Sequence, residues 1–198
     1  MKKYLIVLAL LFAAARTPGA EMMSPPSAMP ALRSAATDMM PGLKVGEKAP
    51  DFSLRNAAGE EIALQALLKK GKVALVFVRS ADWCPFCRTQ LQALQKDLPV
   101  IEAAGLQLVA ISYDSPTTNI AAAAKLGLKF PLLSDPGSKV IDAYGIRNKE
   151  ATGRAAGVPH PTVFILDSQG TIRAKLMRDG YRERPESAEI VLAAKSIM

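Results

Sequence analysis

The sequence predicts an α/β fold in which a central mixed β-sheet carries helices on both faces. The apolar runs 73–78 and 106–112 flank a helical pattern, and a strand, a helix and a strand within about 40 residues form a βαβ unit with parallel strands. The later runs 162–166 and 171–176 flank the turn 167–170, which predicts an antiparallel hairpin. Parallel and antiparallel pairs together indicate a mixed sheet.

Shorter elements are expected before the βαβ unit. Residues 52–54 alternate as in a half-buried strand, 56–59 form a turn, and 61–64 return as a short strand. The leucines within 64–68 indicate one or two helical turns. The uniform apolarity of 73–78 is typical of a central strand that is covered on both faces.

The longest predicted helix begins at Pro85 and continues to around Ala104, where Gly105 ends it. Its leucines and isoleucine follow helical spacing, but Pro99 lies inside the run and predicts a kink or break. Further elements are predicted downstream: helices over 117–126 and 138–144, a short edge strand within 130–135, and a final amphipathic helix opened by Pro185.

Both cysteines of the chain lie where the first buried strand gives way to that helix. Pro85 fits the first helical turn, where its missing N–H costs nothing. Cys84 then falls at or next to the N-cap, where unpaired N–H groups and the helix dipole stabilise a thiolate, the nucleophilic form. Cys87 lies one turn further, within reach of a disulfide. The predicted chemistry is attack by an exposed, acidic Cys84 and resolution by a more buried Cys87.

Other uses of a cysteine pair fit this pattern less well. A structural disulfide is allowed in an exported protein, but one that closes so small a loop restricts the unfolded chain little. A structural zinc site needs four ligands, and the chain offers one histidine and no further cysteine. We therefore expect no metal at the pair and no cofactor.

The N-terminus predicts export. Lys2 and Lys3 form a charged region, and the apolar segment 4–15 is too short to span a membrane comfortably. Candidate cleavage sites lie at 13–15 and near residue 20, so residues 1–20 are interpreted as a signal peptide, with an uncleaved anchor as the alternative. We expect a periplasmic protein in an oxidising compartment, without stable membrane insertion after cleavage.

The segment between the signal peptide and the domain is expected to be a disordered tether. Residues 21–42 are dominated by Met, Pro, Ser and Ala, and no apolar period holds. Methionine thioethers suit reduced copper, but a flexible tether of drifting composition is the preferred explanation of the segment. The folded domain is then expected over 43–198, enough chain for one core.

Charge gives no indication of a nucleic-acid partner. The formal net charge is +7, and cleavage after residue 20 would remove three of the positive charges. No basic run with interleaved aromatic residues is present, so no nucleic-acid site is expected.

The residues around the cysteines resemble the thioredoxin fold. The resemblance is carried by Trp-Cys-Pro-Phe-Cys at 83–87, after a buried strand, and by Pro-Thr-Val-Phe at 161–164, before the hairpin. The context resembles the redoxin branch, the alkyl hydroperoxide reductase/thiol-specific antioxidant group that includes the peroxiredoxins. The supporting segments are 46–52, 109–115, 130–135 and 164–167, so the resemblance covers 43–198.

The resemblance implies roles for the residues near the pair. Cys84 takes the position of the attacking thiol and Cys87 that of the resolving thiol. Pro161 matches the family's cis-proline, whose loop faces the thiols and pairs with substrate backbone, so a cis His160–Pro161 bond is expected. His160 would lie near the sulfurs and donate to a thiolate or move protons, unless it is an ordinary packed histidine. The other residues expected to shape the site are Trp83, Pro85 and Thr162.

One departure from the family separates two functions. Classical peroxiredoxins carry Pro-x-x-x-Thr/Ser-x-x-Cys, a loop that binds peroxide. Whether the motif is aligned on Cys84 or on Cys87, this sequence does not supply both the proline and the Thr/Ser. The arginine that those enzymes place before the late strand is also missing, because Val-Pro-His stands at 158–160. Arg79, Arg88 and Arg182 are the candidate substitutes, with solvated charge the simpler explanation for Arg88.

The leading interpretation is an exported thiol-disulfide oxidoreductase that cycles Cys84 and Cys87 between dithiol and disulfide with a protein redox partner. The alternative is a thiol peroxidase that reduces hydroperoxides, in which Cys84 becomes a sulfenic acid and Cys87 condenses with it. A second alternative is copper handling by the two cysteines and His160, although copper chaperones of this fold space their cysteines differently.

Overall fold

A mixed seven-stranded sheet forms the middle layer of residues 40–197, the part of the chain described by this computed structural model. In chain order, the strands are β1 Ser53–Asn56, β2 Glu61–Ala63, β3 Lys72–Phe77, β4 Leu106–Ser112, β5 Leu132–Ser134, β6 Thr162–Leu166 and β7 Ile172–Met177. In space they follow the order β2-β1-β5-β4-β3-β6-β7. Strand β3 pairs parallel with β4 and antiparallel with β6, which forms the predicted hairpin with β7.

Helices cover both faces of the sheet, as predicted. They are α1 Leu64–Leu68, α2 Pro85–Lys96, α3 Leu98–Ala103, α4 Pro116–Leu126, α5 Lys139–Ala143 and α6 Ser187–Lys195. Alternate residues of β3 enter two separate cores: Val76 packs in the layer that contains α2, α3 and α6, and Leu75 packs in the layer that contains α1 and α5. This two-sided burial explains why the strand is apolar throughout.

The long helix predicted after the cysteines is in fact two helices. Helix α2 ends at Lys96, Asp97 links the two, and α3 begins at Leu98 with Pro99 in its first turn. Proline lacks the N–H that would continue α2, but it fits the first turn of a new helix. The predicted break near Pro99 is therefore confirmed.

Two predicted details are wrong. Strand β5 is not an edge strand, because it lies between β1 and β4 and pairs with both. The last helix begins at Ser187 rather than at Pro185, because Glu186 and Glu189 form a reciprocal capping box at its start. A three-residue strand carries no pattern that reveals its neighbours, and side-chain capping outweighed the proline signal.

The predicted signal peptide, and the predicted tether as far as residue 39, lie outside the described residues. Residues 40–42, the end of the predicted tether, contact the domain: Lys175 Nζ donates to the Met40 carbonyl at 3.0 Å. Gly42 packs so closely that an added Cβ would lie 2.5 Å from Ile146. Among residues 40–197, no helix is long and apolar enough to cross a membrane.

The two-sided core predicts a contrast between two leucine substitutions. Leu75→Ala should lower the free energy of unfolding by about 2–5 kcal/mol, because it leaves a cavity under the central strand. Leu192→Ala, at a side chain that is 71% exposed, should change it by less than about 0.5 kcal/mol. Urea unfolding of the oxidised protein measures both, and similar losses from the two variants would contradict this account of the core.

Candidate active site

The two cysteines form a disulfide at the N-terminus of α2. Their Cα atoms are 5.3 Å apart and the sulfurs lie within bonding distance. Cys84 is the N-cap residue in an extended conformation, and Pro85 is the first helical residue. The Cys84 sulfur accepts a hydrogen bond from the Cys87 N–H at 3.3 Å. Cys84 therefore faces an N–H group and the positive end of the helix dipole, as the position of Pro85 predicts.

Both cysteines are buried in this oxidised state. Cys84 is 1% exposed and Cys87 is 0% exposed, so the expectation of an exposed Cys84 is wrong for the disulfide form. The aromatic and arginine side chains around Cys84 cover it. It lines a cleft of about 380 Å³. The other lining residues are Arg79, Trp83, Pro85, Phe86, Thr152, Arg154, Ala155 and Tyr181.

The loop between β3 and α2 is held by a buried serine. Ser80 Oγ accepts the backbone N–H groups of Asp82 and Trp83, at 3.1 and 3.2 Å. This hydroxyl satisfies two donors that precede the helix, where no helical carbonyl is available to them. The chain therefore turns sharply out of β3 and delivers Cys84 to the N-cap.

A buried carboxylate just beyond β4 holds the same loop. Asp114 Oδ2 accepts the Ala81 N–H at 2.9 Å and the Ser112 hydroxyl at 3.0 Å. Burial raises the pKa of Asp114 above its ordinary value, although these hydrogen bonds act in the opposite direction. This role of Asp114 was not predicted from the sequence. A signal was present, because a polar residue after each of two parallel strands places both at one edge of the sheet.

Cations and aromatic rings surround the disulfide. Trp83 Nε1 donates to the Tyr113 hydroxyl at 3.0 Å. The Arg79 guanidinium lies 5.2 Å from the Trp83 ring and 4.3 Å from the Tyr181 ring, and Arg154 lies 4.9 Å from Trp83. These distances are those of cation–π contacts, so Trp83 shapes a positively charged rim on the cleft.

Arg184 is a second site residue that sequence reasoning did not find. Its Nη2 lies 3.5 Å from the Cys87 sulfur, and its Nη1 donates to the carbonyls of Tyr181 and Glu183. Burial, together with the charge of Arg79, lowers the pKa of Arg184 to about 10, so the group stays protonated at neutral pH. It is separated from Cys87 by 97 positions, so no local spacing could indicate the contact.

The proline loop differs from the prediction. No cis peptide bond occurs within residues 40–197, so the His160–Pro161 bond is trans and the expectation of a cis-proline is wrong. Both residues line a neighbouring cleft that shares Arg79 and Tyr181 with the first cleft but includes neither cysteine. The structure therefore does not bring His160 and Pro161 to the wall beside Cys84.

Local hydrogen bonds explain this placement of the loop. The His160 N–H donates to the Ile146 carbonyl at 2.7 Å, and Thr162 Oγ1 donates to the His160 carbonyl at 2.9 Å. They hold the segment extended up to β6, where buried Thr162 pairs with Phe77 of β3. Burial lowers the pKa of His160, partly offset by Glu150, so the imidazole is mainly neutral at neutral pH.

The described residues contain no metal-binding cluster. Between residues 40 and 197, no group of three or more His, Cys, Asp or Glu side chains lies close enough together to hold an ion. The ligand set considered for copper, which is Cys84, Cys87 and His160, forms no such group in this part of the chain.

Two proteins of known class are similar to this chain in sequence. The chain is 35% identical over 138 residues to alkyl hydroperoxide reductase E of Mycobacterium tuberculosis, covering 69% of this chain and 86% of that protein. It is 28% identical over 148 residues to the thiol-disulfide oxidoreductase ResA of Bacillus anthracis, covering 73% of this chain and 76% of that protein.

Solved structures share the fold. Peroxidoxin BcpB from Mycobacterium tuberculosis superposes with a TM-score of 0.70 at 21% identity, over 79% of this chain and 99% of that one. A peroxiredoxin-like protein from Aquifex aeolicus superposes with a TM-score of 0.68 at 22% identity, over 80% of this chain and 90% of that one.

The fold and the cysteine pair together define a thioredoxin-like redox enzyme, a thiol oxidoreductase or thiol peroxidase. The chain belongs to the AhpC/TSA family, whose model matches residues 45–175. The resemblance to the redoxin branch is thereby confirmed.

The anchoring role of Asp114 predicts a graded response to substitution. Asp114→Ala should lower the free energy of unfolding by about 1–3 kcal/mol, because it leaves the buried Ala81 N–H without its acceptor. Asp114→Asn keeps an acceptor oxygen and should cost less. Chemical denaturation at neutral pH measures both, and equal losses from Ala and Asn would contradict the anchoring role.

The pH dependence gives a second check on Asp114. Its folded-state pKa is raised, so as pH falls the folded protein takes up this proton before the unfolded chain does. The free energy of unfolding of the wild type should therefore rise relative to Asp114→Asn as pH falls towards the unfolded pKa of about 3.9. A difference that stays constant or shrinks on acidification would contradict this expectation.

Proposed function

We propose that this protein is an exported thiol-disulfide oxidoreductase that exchanges its Cys84–Cys87 pair with a disulfide or dithiol of a partner protein. One observation carries the proposal: a disulfide of the Cys-x-x-Cys type lies at the N-terminus of α2, beside a cleft lined by Cys84. Similarity to ResA, whose name describes a thiol-disulfide oxidoreductase, supports it.

The exchange proceeds through a mixed disulfide. In the reducing direction, the Cys84 thiolate attacks one sulfur of the partner's disulfide, and the other partner sulfur leaves as a thiolate that takes up a proton. The Cys87 thiolate then attacks the Cys84 sulfur, and the second partner sulfur leaves. Two electrons pass to the partner while the Cys84–Cys87 disulfide closes. The reverse sequence oxidises a partner dithiol.

The surroundings of Cys84 support its role as the attacking thiol. The Cys87 N–H and the positive end of α2 favour a thiolate at this sulfur. The adjoining rings of Phe86 and Tyr181 are 37% and 42% exposed, and they stack edge to face at 5.9 Å. Rings of this kind give a partner polypeptide a rigid apolar contact next to the reacting sulfur.

Reduction of hydroperoxides is the second candidate, and family membership favours it. In that reaction the Cys84 thiolate attacks the O–O bond, which gives a sulfenic acid and an alcohol or water. Cys87 then condenses with the sulfenic acid, releases water and forms the same disulfide. The missing Thr and Pro of the peroxide loop favour the disulfide reaction over this one.

Export is part of the proposal. The charged Lys2–Lys3 start and the apolar segment 4–15 support a signal peptide. An oxidising compartment such as the periplasm is also where a Cys-x-x-Cys protein meets partner disulfides. N-terminal sequencing of the protein recovered from fractionated cells tests this, and an intact Met1 in the cytoplasmic fraction would contradict it.

Removing the resolving thiol should trap the reaction. Cys87→Ser is expected to accumulate a covalent adduct at Cys84: a mixed disulfide with an oxidised partner protein, stable in electrophoresis without reductant, or a dimedone-reactive sulfenic acid with peroxide. Cys84→Ser is the matched control. It should trap neither adduct, because Cys84 lines the cleft and the remaining Cys87 does not. An adduct in Cys84→Ser and none in Cys87→Ser would reverse the two roles.

Rapid mixing of the reduced wild-type protein separates the two candidate oxidants. Thiols should disappear quickly with a protein disulfide and slowly with hydrogen peroxide. Fast, stoichiometric loss with peroxide would instead make peroxidase the function.

A further inference from the structure

The disulfide lies beside two arginines that have no carboxylate partner among residues 40–197. The ion pairs of other arginines in this range join Arg147, Arg173 and Arg178 to acidic side chains. Arg79 and Arg184 form none, and the Nε atom of each is buried without a hydrogen-bond partner. Both residues are half-buried, Arg79 against aromatic rings and Arg184 against backbone carbonyls, but neither guanidinium is matched by an anion.

The position of Arg184 indicates which anion would satisfy it. Its Nη2 lies 3.5 Å from the Cys87 sulfur, and Arg79 adds a second positive charge close by, on the side of the cleft lined by Cys84. In the disulfide that sulfur carries no charge. A negative charge develops there only when the bond between Cys84 and Cys87 opens.

Arg184 can offset the unfavourable ionisation of the buried resolving thiol. Cys87 is fully buried, and burial in apolar surroundings disfavours the thiolate that must attack Cys84. Cys84 has the helix N–H groups, but in the mixed disulfide its sulfur is bonded to the partner. Cys87 is then the thiol that must ionise, and a cation at hydrogen-bond distance offsets its burial.

We propose that Arg184 is a further catalytic residue, which binds the Cys87 thiolate and so promotes resolution of the mixed disulfide. The proposal rests on the proposed thiol exchange. Arg79 reinforces it, because repulsion between the two cations is relieved when the anion forms. When a partner dithiol reduces the pair, two electrons pass to the disulfide and the partner closes its own disulfide. Of the partner's two protons, one stays on the cysteine pair and the other leaves, so the pair retains one thiolate beside the helix N-terminus and Arg184.

This arrangement also affects the redox equilibrium. The cations favour the thiolate of the reduced protein and gain nothing from the neutral disulfide. Reduction of the Cys84–Cys87 bond is therefore easier than it would be without Arg184, which makes the pair a stronger oxidant of partner dithiols.

The test titrates Cys87 alone. In a Cys84→Ser background only one thiol remains, and its ultraviolet thiolate absorbance is followed against pH. Adding Arg184→Met should raise the Cys87 pKa by about one, which reduces the thiolate fraction about tenfold at a pH well below that pKa. Arg184→Lys keeps the positive charge and should restore most of the thiolate fraction. Arg173→Met, which removes an arginine that contacts Asp167, is the matched control and should leave the titration unchanged.

A second variant separates charge from loop structure, since Arg184 also donates to the Tyr181 and Glu183 carbonyls. Arg184→Gln keeps donor groups but removes the charge, so it should reproduce the loss seen with Met. In the two-cysteine protein, either neutral variant should shift the equilibrium with glutathione about tenfold towards the disulfide, a potential lower by about 30 mV.

The outcomes distinguish this inference from the proposed function. A Cys87 titration that is unchanged in Arg184→Met and Arg184→Gln, or that changes equally in Arg173→Met, would overturn the role of Arg184. Neither measurement uses a partner protein or a peroxide. Failure of the partner exchange would therefore leave this test intact, and failure of this test would leave the exchange to be judged by the adduct experiment.

Discussion

The hydrogen bond from the Ala81 N–H to the Asp114 carboxylate joins the cysteine loop to the end of the neighbouring strand. Because β3 and β4 are parallel, their carboxyl ends meet at one edge of the sheet, and a side chain beyond β4 can reach the loop beyond β3. The carboxylate fixes the start of the turn, Ser80 fixes the next two N–H groups, and α2 begins only after both. The position of Cys84 at the N-cap therefore depends on a residue 30 positions away.

Two kinds of positive charge act on the two sulfurs. Cys84 faces a backbone N–H and the dipole of α2, whereas Cys87 faces the guanidinium of Arg184. A helix N-terminus serves only the residue at its cap, because the next turn already uses its N–H groups in the helix. The second thiol therefore needs a side chain from elsewhere in the chain. The loop between β7 and α6 supplies it, so the C-terminal part of the domain belongs to the chemistry as well as to the core.

Much of the fold could be predicted because its signals are local. Long apolar runs revealed β3, β4 and the hairpin, and prolines revealed the start of α2 and its end near Pro99. The predictions that were wrong or missing share a different cause. The neighbours of β5 and the contact of Arg184 with Cys87 are both decided by residues distant in sequence. The cysteine pair itself was recognisable from the sequence. Its burial depends on side chains from four separate segments, and the spacing of residues along the chain does not indicate those contacts.

The contacts of residues 40–42 bear on where the folded unit starts. Lys175 is 4% exposed on β7, and its ammonium group donates to the carbonyls of Met40 and Gly42. A chain begun at residue 43 would remove both acceptors and open the surface where Gly42 packs on Ile146. A nearly buried ammonium that loses acceptors destabilises the strand that carries it. The short peptide at residues 40–42 thus supports the sheet, and a protease that trims it would weaken the hairpin at the opposite end of the sequence.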